Sequence, residues 1–150
     1  MDSNDLFLIK CDPNNIKWGG FVKGPDKDNF KDWYIHQINN TRRTIYLVYL
    51  DDACVAFFYI DIIDEDTIED TSGVLTQYAG RGIGTWIVET IDCIAIQKGY
   101  HKHIAWVSEQ NVSSMKRYEK LKYKLSDDVD YRSLPLLGGI HLFRKWYKEL

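Results

Sequence analysis

Three glycines alternate with other residues in QYAGRGIGTW, the stretch at residues 77–86. Gly80, Gly82 and Gly84 follow a strand-like segment and open a helix-like one. The N-terminus of a helix has unpaired N–H groups and a partial positive charge, so it attracts phosphate. Glycine lets an anion contact the backbone and permits positive φ angles. The spacing therefore predicts a phosphate-binding loop, to which Arg81 could add a charged donor.

Two known phosphate motifs and one structural alternative can be compared with this loop. A Walker loop needs GxxxxGK[ST], and the stretch has no such lysine. A Rossmann fingerprint needs GxGxxG, but here the third glycine comes one residue early and Thr85 holds the expected place. The structural alternative is a glycine-rich turn that only packs a helix on a sheet.

Size, charge and cysteine content narrow the class of protein. The chain has 150 residues, enough for a single domain with a real core over residues 1–150. Its 19 basic and 22 acidic side chains give a net charge of −3, which argues against nucleic acid as a partner. No apolar run reaches the roughly 18 residues of a membrane span, and the start, MDSNDLFLIK, does not resemble a signal peptide. We therefore expect no membrane partner. Because Cys11, Cys54 and Cys93 are odd in number and far apart, we expect reduced thiols and a cytoplasmic protein.

The apolar pattern predicts strands and helices in the order β-α-β-β-β-α-β-α-β-β. Asp51 and Asp52 can form a tight hairpin between two aromatic strands, Gly99 can end the second helix, and Asn111 can cap the third. This order predicts an α/β (α+β) fold, with a mixed sheet of six to seven strands and helices on its faces. The predicted segments are 5–11, 26–39, 43–50, 53–63, 67–76, 82–98, 103–107, 111–121, 123–126 and 140–147.

Two stretches carry a resemblance to a known family. VLTQYAGRGIGTWIVETI resembles the acyl-CoA-binding motif [QR]xxGxG[AG] of the GNAT N-acetyltransferase superfamily, with Gly82 and Gly84 at its glycines. NVSSMKRYEKLKY, residues 111–123, resembles the next motif of that family, which runs from an Asn and a small residue to Tyr-Glu-Lys-x-Gly-Phe. The predicted order of elements is also similar to that of the family. The resemblance implies a GNAT fold in which the fourth strand is bulged and splays from the fifth.

The sequence departs from the family pattern at two positions. In the usual register the leading Gln or Arg falls on Ala79, and Gln77 satisfies the pattern only two residues earlier. This departure predicts that backbone amides and Arg81 hold the pyrophosphate. Lys122 stands where the family usually has glycine. A left-handed conformation there would cost on the order of 1 kcal/mol.

The resemblance also implies how acetyl-CoA, the expected co-substrate, would bind. Its pantetheine arm would insert between the fourth and fifth strands, and no metal is expected. The backbone of Ser72, Gly73 and Val74 would bind the acetyl and pantetheine end, and Asn111 would contact the cofactor. The pyrophosphate would be held by Gly80, Arg81, Gly82, Ile83, Gly84 and Thr85.

Two residues are candidates for catalysis. By resemblance, Tyr118 lies near the CoA sulfur and acts as general acid toward the leaving thiolate; the alternative is a helix tyrosine that packs beside Met115 and Leu121. Glu69 is placed as a general base that works through water, and the alternative is a solvated surface charge. Asp70 would point to the opposite face of the strand. Trp106 occupies a position where other members carry a catalytic glutamate.

These expectations lead to one function and its alternatives. The chain is expected to transfer an acetyl group from acetyl-CoA to a primary amine of a small molecule or peptide, by direct attack in a ternary complex, as a monomer or a homodimer. The alternatives are a non-catalytic CoA-binding sensor or scaffold, and transfer of a longer acyl group.

Asp64, Glu65 and Asp66 form either a charged turn or an acidic rim that attracts a polyamine, aminosugar or peptide amine.

Overall fold

A computed structural model describes residues 3–150 as helices on both faces of one mixed sheet. The helices are α1 (Ser3–Lys10), α2 (Pro13–Trp18), α3 (Lys27–Ile38), α4 (Ile83–Gln97) and α5 (Val112–Lys120), with a 3-10 turn at Thr76–Tyr78. The strands are β1 (Arg43–Leu50), β2 (Ala53–Ile62), β3 (Thr67–Val74), β4 (Lys102–Ser108), β5 (Lys124–Ser133) and β6 (Ile140–Glu149). No helix within residues 3–150 combines the length and the apolar character needed to cross a membrane.

The first apolar segment, residues 5–11, forms a helix and not the predicted strand. In α1, Leu6 and Ile9 are buried three residues apart, whereas Leu8 is 64% exposed. A strand would have placed Leu6 and Leu8 on the same face. The prediction was wrong because so short an apolar run does not distinguish a strand from a helix. The sheet therefore has six strands, and the predicted fourth and fifth strands are β3 and β4.

The sheet has the strand order β1-β2-β3-β4-β6-β5. β3 and β4 run parallel, and the other neighbours are antiparallel. The predicted hairpin between β1 and β2 turns at Asp51, whose φ is 54°. The parallel pairing of β3 with β4 begins at Thr67↔Lys102 and ends at Glu69↔Ile104. Both strands continue beyond that point, so they splay as predicted.

The expected bulge in the splayed strand is absent. The pairing of β2 with β3 runs from Ala56↔Val74 to Ile62↔Ile68 without a register shift. β3 therefore leaves β4 as a regular strand that is held along its other edge by β2.

Two apolar clusters fix α1, α3 and α4 to the sheet. On one face, Ile87, Ile91 and Ala95 of α4 pack with Val55 and Ile68 of the sheet. On the other face, α1 and α3 pack over β1 and β2 through a second cluster, which contains Leu6, Ile9, Phe30, Tyr34, Ile45, Phe57 and Tyr59. Because apolar burial contributes roughly 25 cal/mol per Å², these clusters hold the helices that flank the gap between β3 and β4.

Candidate active site

A cavity of about 960 Å³ lies where β3 and β4 separate. Residues from both faces of the sheet line it, including α1 and α2 on one side and α5 on the other. Of the predicted site residues, it brings together Ser72, Gly73, Val74, Asn111 and Tyr118. Glu69 and residues 80–85 are not among its lining residues, although Ala79, which directly precedes the glycine loop, is.

The splayed part of β3 presents one edge of its backbone to the cavity. Residues 72–74 pair with β2 on one side, through Phe58↔Ser72, Phe57↔Gly73 and Ala56↔Val74. The β4 pairing has already ended at Glu69. Backbone groups along that edge are strong donors and acceptors, so this stretch is suited to bind an extended ligand as a strand would.

The glycine loop has the backbone that its sequence predicts. Gly80 has a φ of 76° and Gly82 a φ of 82°, and Gly82 caps the N-terminus of α4. A Cβ placed on either residue would meet nothing within 4 Å. The space beside the N-terminus of this 15-residue helix is therefore open, as an anion site requires.

Arg117 of α5 lies against this loop, a contact that the sequence did not predict. A Cβ on Gly84 would come within 2.5 Å of the guanidinium carbon of Arg117. Arg117 also lines the cavity, whereas the guanidinium of Arg81 lies 5.1 Å from the ring centroid of Tyr78 and lines no part of it. The only sequence signal was a basic residue directly before Tyr118 in the second motif. That signal is weak, because only the packing of α5 beside α4 brings the side chain to the loop.

Asn111 begins α5 as predicted. Its Oδ1 accepts a hydrogen bond from the backbone N–H of Ser114 (3.3 Å), which caps the helix. This cap orients the helix that carries Arg117 and Tyr118.

Tyr118 is 5% exposed, and its hydroxyl donates a hydrogen bond to Asp70 Oδ2 (2.7 Å). Asp70 lies on the α5 side of the sheet, as its alternation with Glu69 predicts. Burial, followed by Asp70, raises the pKa of Tyr118 well above its ordinary value. The phenol is therefore neutral and remains a hydrogen-bond donor at physiological pH.

Asp70 belongs to a buried polar network that the sequence analysis missed. Its Oδ1 lies 3.4 Å from Nε2 of His103, a fully buried residue of β4. His103 Nδ1 donates to Asp92 Oδ1 of α4 (2.8 Å). Asp92 also accepts hydrogen bonds from the hydroxyl of Tyr123 and from Lys148 Nζ. Single residues spread over five segments gave no local signal for this network.

The two carboxylates keep His103 charged. Burial alone lowers the pKa of the imidazole, but Asp70 and Asp92 outweigh it and raise the pKa to about 9. Burial also opposes ionisation of Asp92, yet hydrogen bonds from His103 and Tyr123 leave the pKa of Asp92 below its ordinary value. The network therefore holds a buried cation between two anions.

Glu69 lies where the two strands begin to separate, opposite Ile104 and partly buried. Its pair on β2 is Asp61. Burial, followed by the charge of Asp61, raises the pKa of its carboxyl. A raised pKa suits a general base, but the side chain lies outside the cavity lining, so its catalytic role stays a prediction.

The acidic turn lies away from the cavity. Asp64, Glu65 and Asp66 line a separate depression of about 610 Å³ beside His101, Lys102 and Glu149. They lie at the start of β3, whereas the cavity lies at its end. Among residues 3–150, no group of three or more His, Cys, Asp or Glu side chains could hold a metal ion.

Comparison with known proteins assigns the fold and the family. A profile of the acetyltransferase (GNAT) family matches residues 12–123, which include β3, the glycine loop and α5. The chain belongs to the GNAT acetyltransferase family. No curated protein sequence matches it significantly.

Solved structures of acetyltransferases share the fold at low sequence identity. An N-acetyltransferase from Staphylococcus aureus Mu50 is 18% identical, with a TM-score of 0.80 over 99% of this chain and 92% of its own. A spermidine N-acetyltransferase from Vibrio cholerae, in complex with CoA and spermine, is 12% identical, with a TM-score of 0.85 over 99% and 89%. A phosphinothricin acetyltransferase from Sinorhizobium meliloti, in complex with acetyl-CoA, is 14% identical, with a TM-score of 0.76 over 100% and 85%.

Proposed function

We propose that this GNAT protein transfers an acetyl group from acetyl-CoA to a primary amine of a small molecule or peptide, within a ternary complex. The observation that carries the proposal is the unpaired edge of residues 72–74, which shares one cavity with Tyr118 and Arg117. An acyl-CoA reaction needs an edge that binds the extended pantetheine arm, a site for the pyrophosphate anion and a proton donor near the sulfur. The CoA complexes of the Vibrio cholerae and Sinorhizobium meliloti relatives support the choice of co-substrate.

The chain offers a separate contact for each part of acetyl-CoA. Residues 72–74 would bind the pantetheine arm through backbone hydrogen bonds, and Asn111 would lie beside it. The amides of residues 80–85 would bind the pyrophosphate at the N-terminus of α4. Arg117 would supply the charged contact that Ala79 cannot, because its guanidinium already lies on Gly84.

Bound acetyl-CoA supplies a thioester, whose acyl carbon forms a bond to the amine nitrogen as the C–S bond breaks. The backbone N–H groups of Ser72 and Val74, which point away from β2, would stabilise the oxyanion. Glu69, through water, would accept the proton that the amine loses. Tyr118 would turn its hydroxyl from Asp70 toward the sulfur and stabilise the thiolate as a hydrogen-bond donor. We also propose a cytosolic location, since no disulfide joins the three cysteines within residues 3–150.

Release of free thiol from acetyl-CoA in the presence of a broad panel of amines tests this function, with the acetylated product identified by mass spectrometry. Acetyl-CoA binding is measured in parallel by calorimetry. Amine-dependent thiol release supports the proposal. Tight binding with no turnover on any amine would favour the non-catalytic sensor or scaffold.

A further inference from the structure

Lys10 at the end of α1 places an ammonium group inside the cavity. Its Nζ donates to the hydroxyl of Tyr59 (3.0 Å). The same atom lies 5.1 Å from the ring centroid of Trp33, 5.0 Å from that of Phe57 and 5.3 Å from that of Tyr59. Aromatic faces attract a cation, but they do not neutralise its charge.

The ammonium group has no carboxylate partner among residues 3–150. Two other cations that line the cavity differ in this respect: Arg43 forms a bidentate pair with Asp61 (2.7 and 2.9 Å), and Arg132 pairs with Asp130 (2.9 Å). A partly buried charge without a counter-ion is costly, because desolvation is not repaid by a partner. Burial, followed by repulsion from Arg43, lowers the pKa of Lys10 to about 8.

The strand register places this ammonium group beside the splayed part of β3. Phe57 and Tyr59 of β2, over which it lies, pair with Gly73 and Thr71 of β3. Paired residues of antiparallel strands project to the same face of a sheet. Lys10 therefore lies on the same face of the sheet as Thr71 and Gly73, opposite the face that Tyr118 contacts.

The carboxylates that do line the cavity are already engaged. Asp26 caps α3 by accepting a hydrogen bond from the backbone N–H of Asp28 (2.9 Å). Asp70 accepts its hydrogen bond from Tyr118 on the other face. Phe21 and Val22, which also line the cavity, are 53% and 71% exposed, so apolar surface lies open beside the unpaired cation. This half of the cavity offers a cation and apolar contacts, and its carboxylate, Asp26, already caps a helix.

We propose that the acceptor is a small amino-carboxylate with an apolar or aromatic side chain, such as a free amino acid, and that Lys10 binds its carboxylate. The inference rests on the acetyl transfer proposed above. The carboxylate would provide the missing counter-ion, and Trp33 and Phe57 would shield the ion pair from water.

The test compares apolar L-amino acids with their decarboxylated amines, for example phenylalanine with phenethylamine, and includes spermidine. The amino acids should be acetylated with a kcat/KM about 10- to 100-fold above their amines, because charge-assisted hydrogen bonds have that strength. Lys10→Met keeps a long unbranched side chain among the rings and removes the charge. It should abolish the preference through the KM of the amino acids. Lys17→Met removes a charge from neighbouring α2 outside the cavity lining and should retain the preference.

A binding measurement keeps this inference separate from the proposed function. In the presence of CoA, N-acetylphenylalanine should bind the parent protein more tightly than N-acetylphenethylamine, and Lys10→Met should remove the difference. Circular dichroism and the melting temperature verify that Lys10→Met folds. Amine turnover without a carboxylate preference would overturn the inference and leave acetyl transfer standing. Equal binding of the two products, or a preference that survives Lys10→Met, would overturn it as well. Acetylation of Lys10 itself, seen in the intact mass, would also contradict it.

Discussion

At the scale of single residues, Tyr118 illustrates how the structure changes a prediction. The sequence suggested a hydroxyl directed at a thiolate, with packing as the alternative. The side chain both packs in a buried cluster and donates a hydrogen bond to Asp70 (2.7 Å). Loss of a buried hydrogen bond costs about 1–3 kcal/mol, so removal of this hydroxyl should lower stability. A substitution at Tyr118 therefore needs a control variant that loses a similar amount of stability.

Tyr123 provides that control. Its hydroxyl donates to Asp92 in the same network, and the residue does not line the cavity. Tyr118→Phe and Tyr123→Phe should lower the free energy of unfolding by comparable amounts in urea. Only Tyr118→Phe should reduce kcat, by about 100-fold, at the lower end of the range for general acids. Equal kcat values for the two variants would assign Tyr118 to packing alone.

Lys10, Arg117 and His103 show why parts of the site were missed at this scale. None of them is a residue that either motif specifies. Each contacts residues that are distant in sequence, and only the fold brings them together. The conformation of Lys122 was predictable, because the family pattern has a glycine at this position. Its φ of 70° is left-handed, as that pattern indicates. A non-glycine residue there costs on the order of 1 kcal/mol.

At the scale of elements, the glycine loop and the splayed strands were predictable because their signals are local. Alternate glycines before an apolar helix pattern indicated the loop, and the order of elements indicated the sheet. α1 was assigned wrongly because its apolar run is short, and α2 was not predicted. The regular course of β3 could not be read from sequence, since a bulge depends on how neighbouring strands pair.

The two ends of α4 allow a matched test of the loop. Gly82 precedes the helix and Gly99 follows it, both have positive φ (82° and 85°), and a Cβ on either would meet open space. Gly82→Ala and Gly99→Ala should therefore cost similar stability. Only Gly82→Ala should weaken acetyl-CoA binding in calorimetry, because it fills space beside the expected pyrophosphate. Equal affinities in the two variants would contradict the anion site.

The buried network links β3, α4, β4 and β6, and its contribution to the stability of the fold depends on pH. Because the pKa of His103 is raised from 6.5 to about 9, its stabilising contribution is fully present below about pH 6.5 and is lost as the pH rises through about 9. At about 1.4 kcal/mol per pKa unit, the total is on the order of 3 kcal/mol. Proton titration by NMR should show the His103 ring charged at pH 7.5. An apparent pKa of His103 below 6.5 would refute this account of the network.

At the scale of the whole molecule, both faces of the sheet contribute residues to one cleft. The α5 side contributes Tyr118 and Arg117, and the α1 side contributes Lys10, so cofactor and acceptor are expected to meet at the splay from opposite faces. The acidic turn at residues 64–66 lies outside this arrangement. A single domain over residues 1–150 and the oligomeric state stay predictions, to be tested by limited proteolysis and light scattering.

The reaction proposed for this cleft is the transfer of acetyl groups to amines. The most direct measurement is thiol release from acetyl-CoA across the amine panel, with mass identification of each product and with Gly82→Ala as the impaired variant. We expect amine-dependent release, one acetyl group per product molecule, and a marked rise in the KM for acetyl-CoA in Gly82→Ala. Tight acetyl-CoA binding with no thiol release above the amine-free rate on any amine would contradict it.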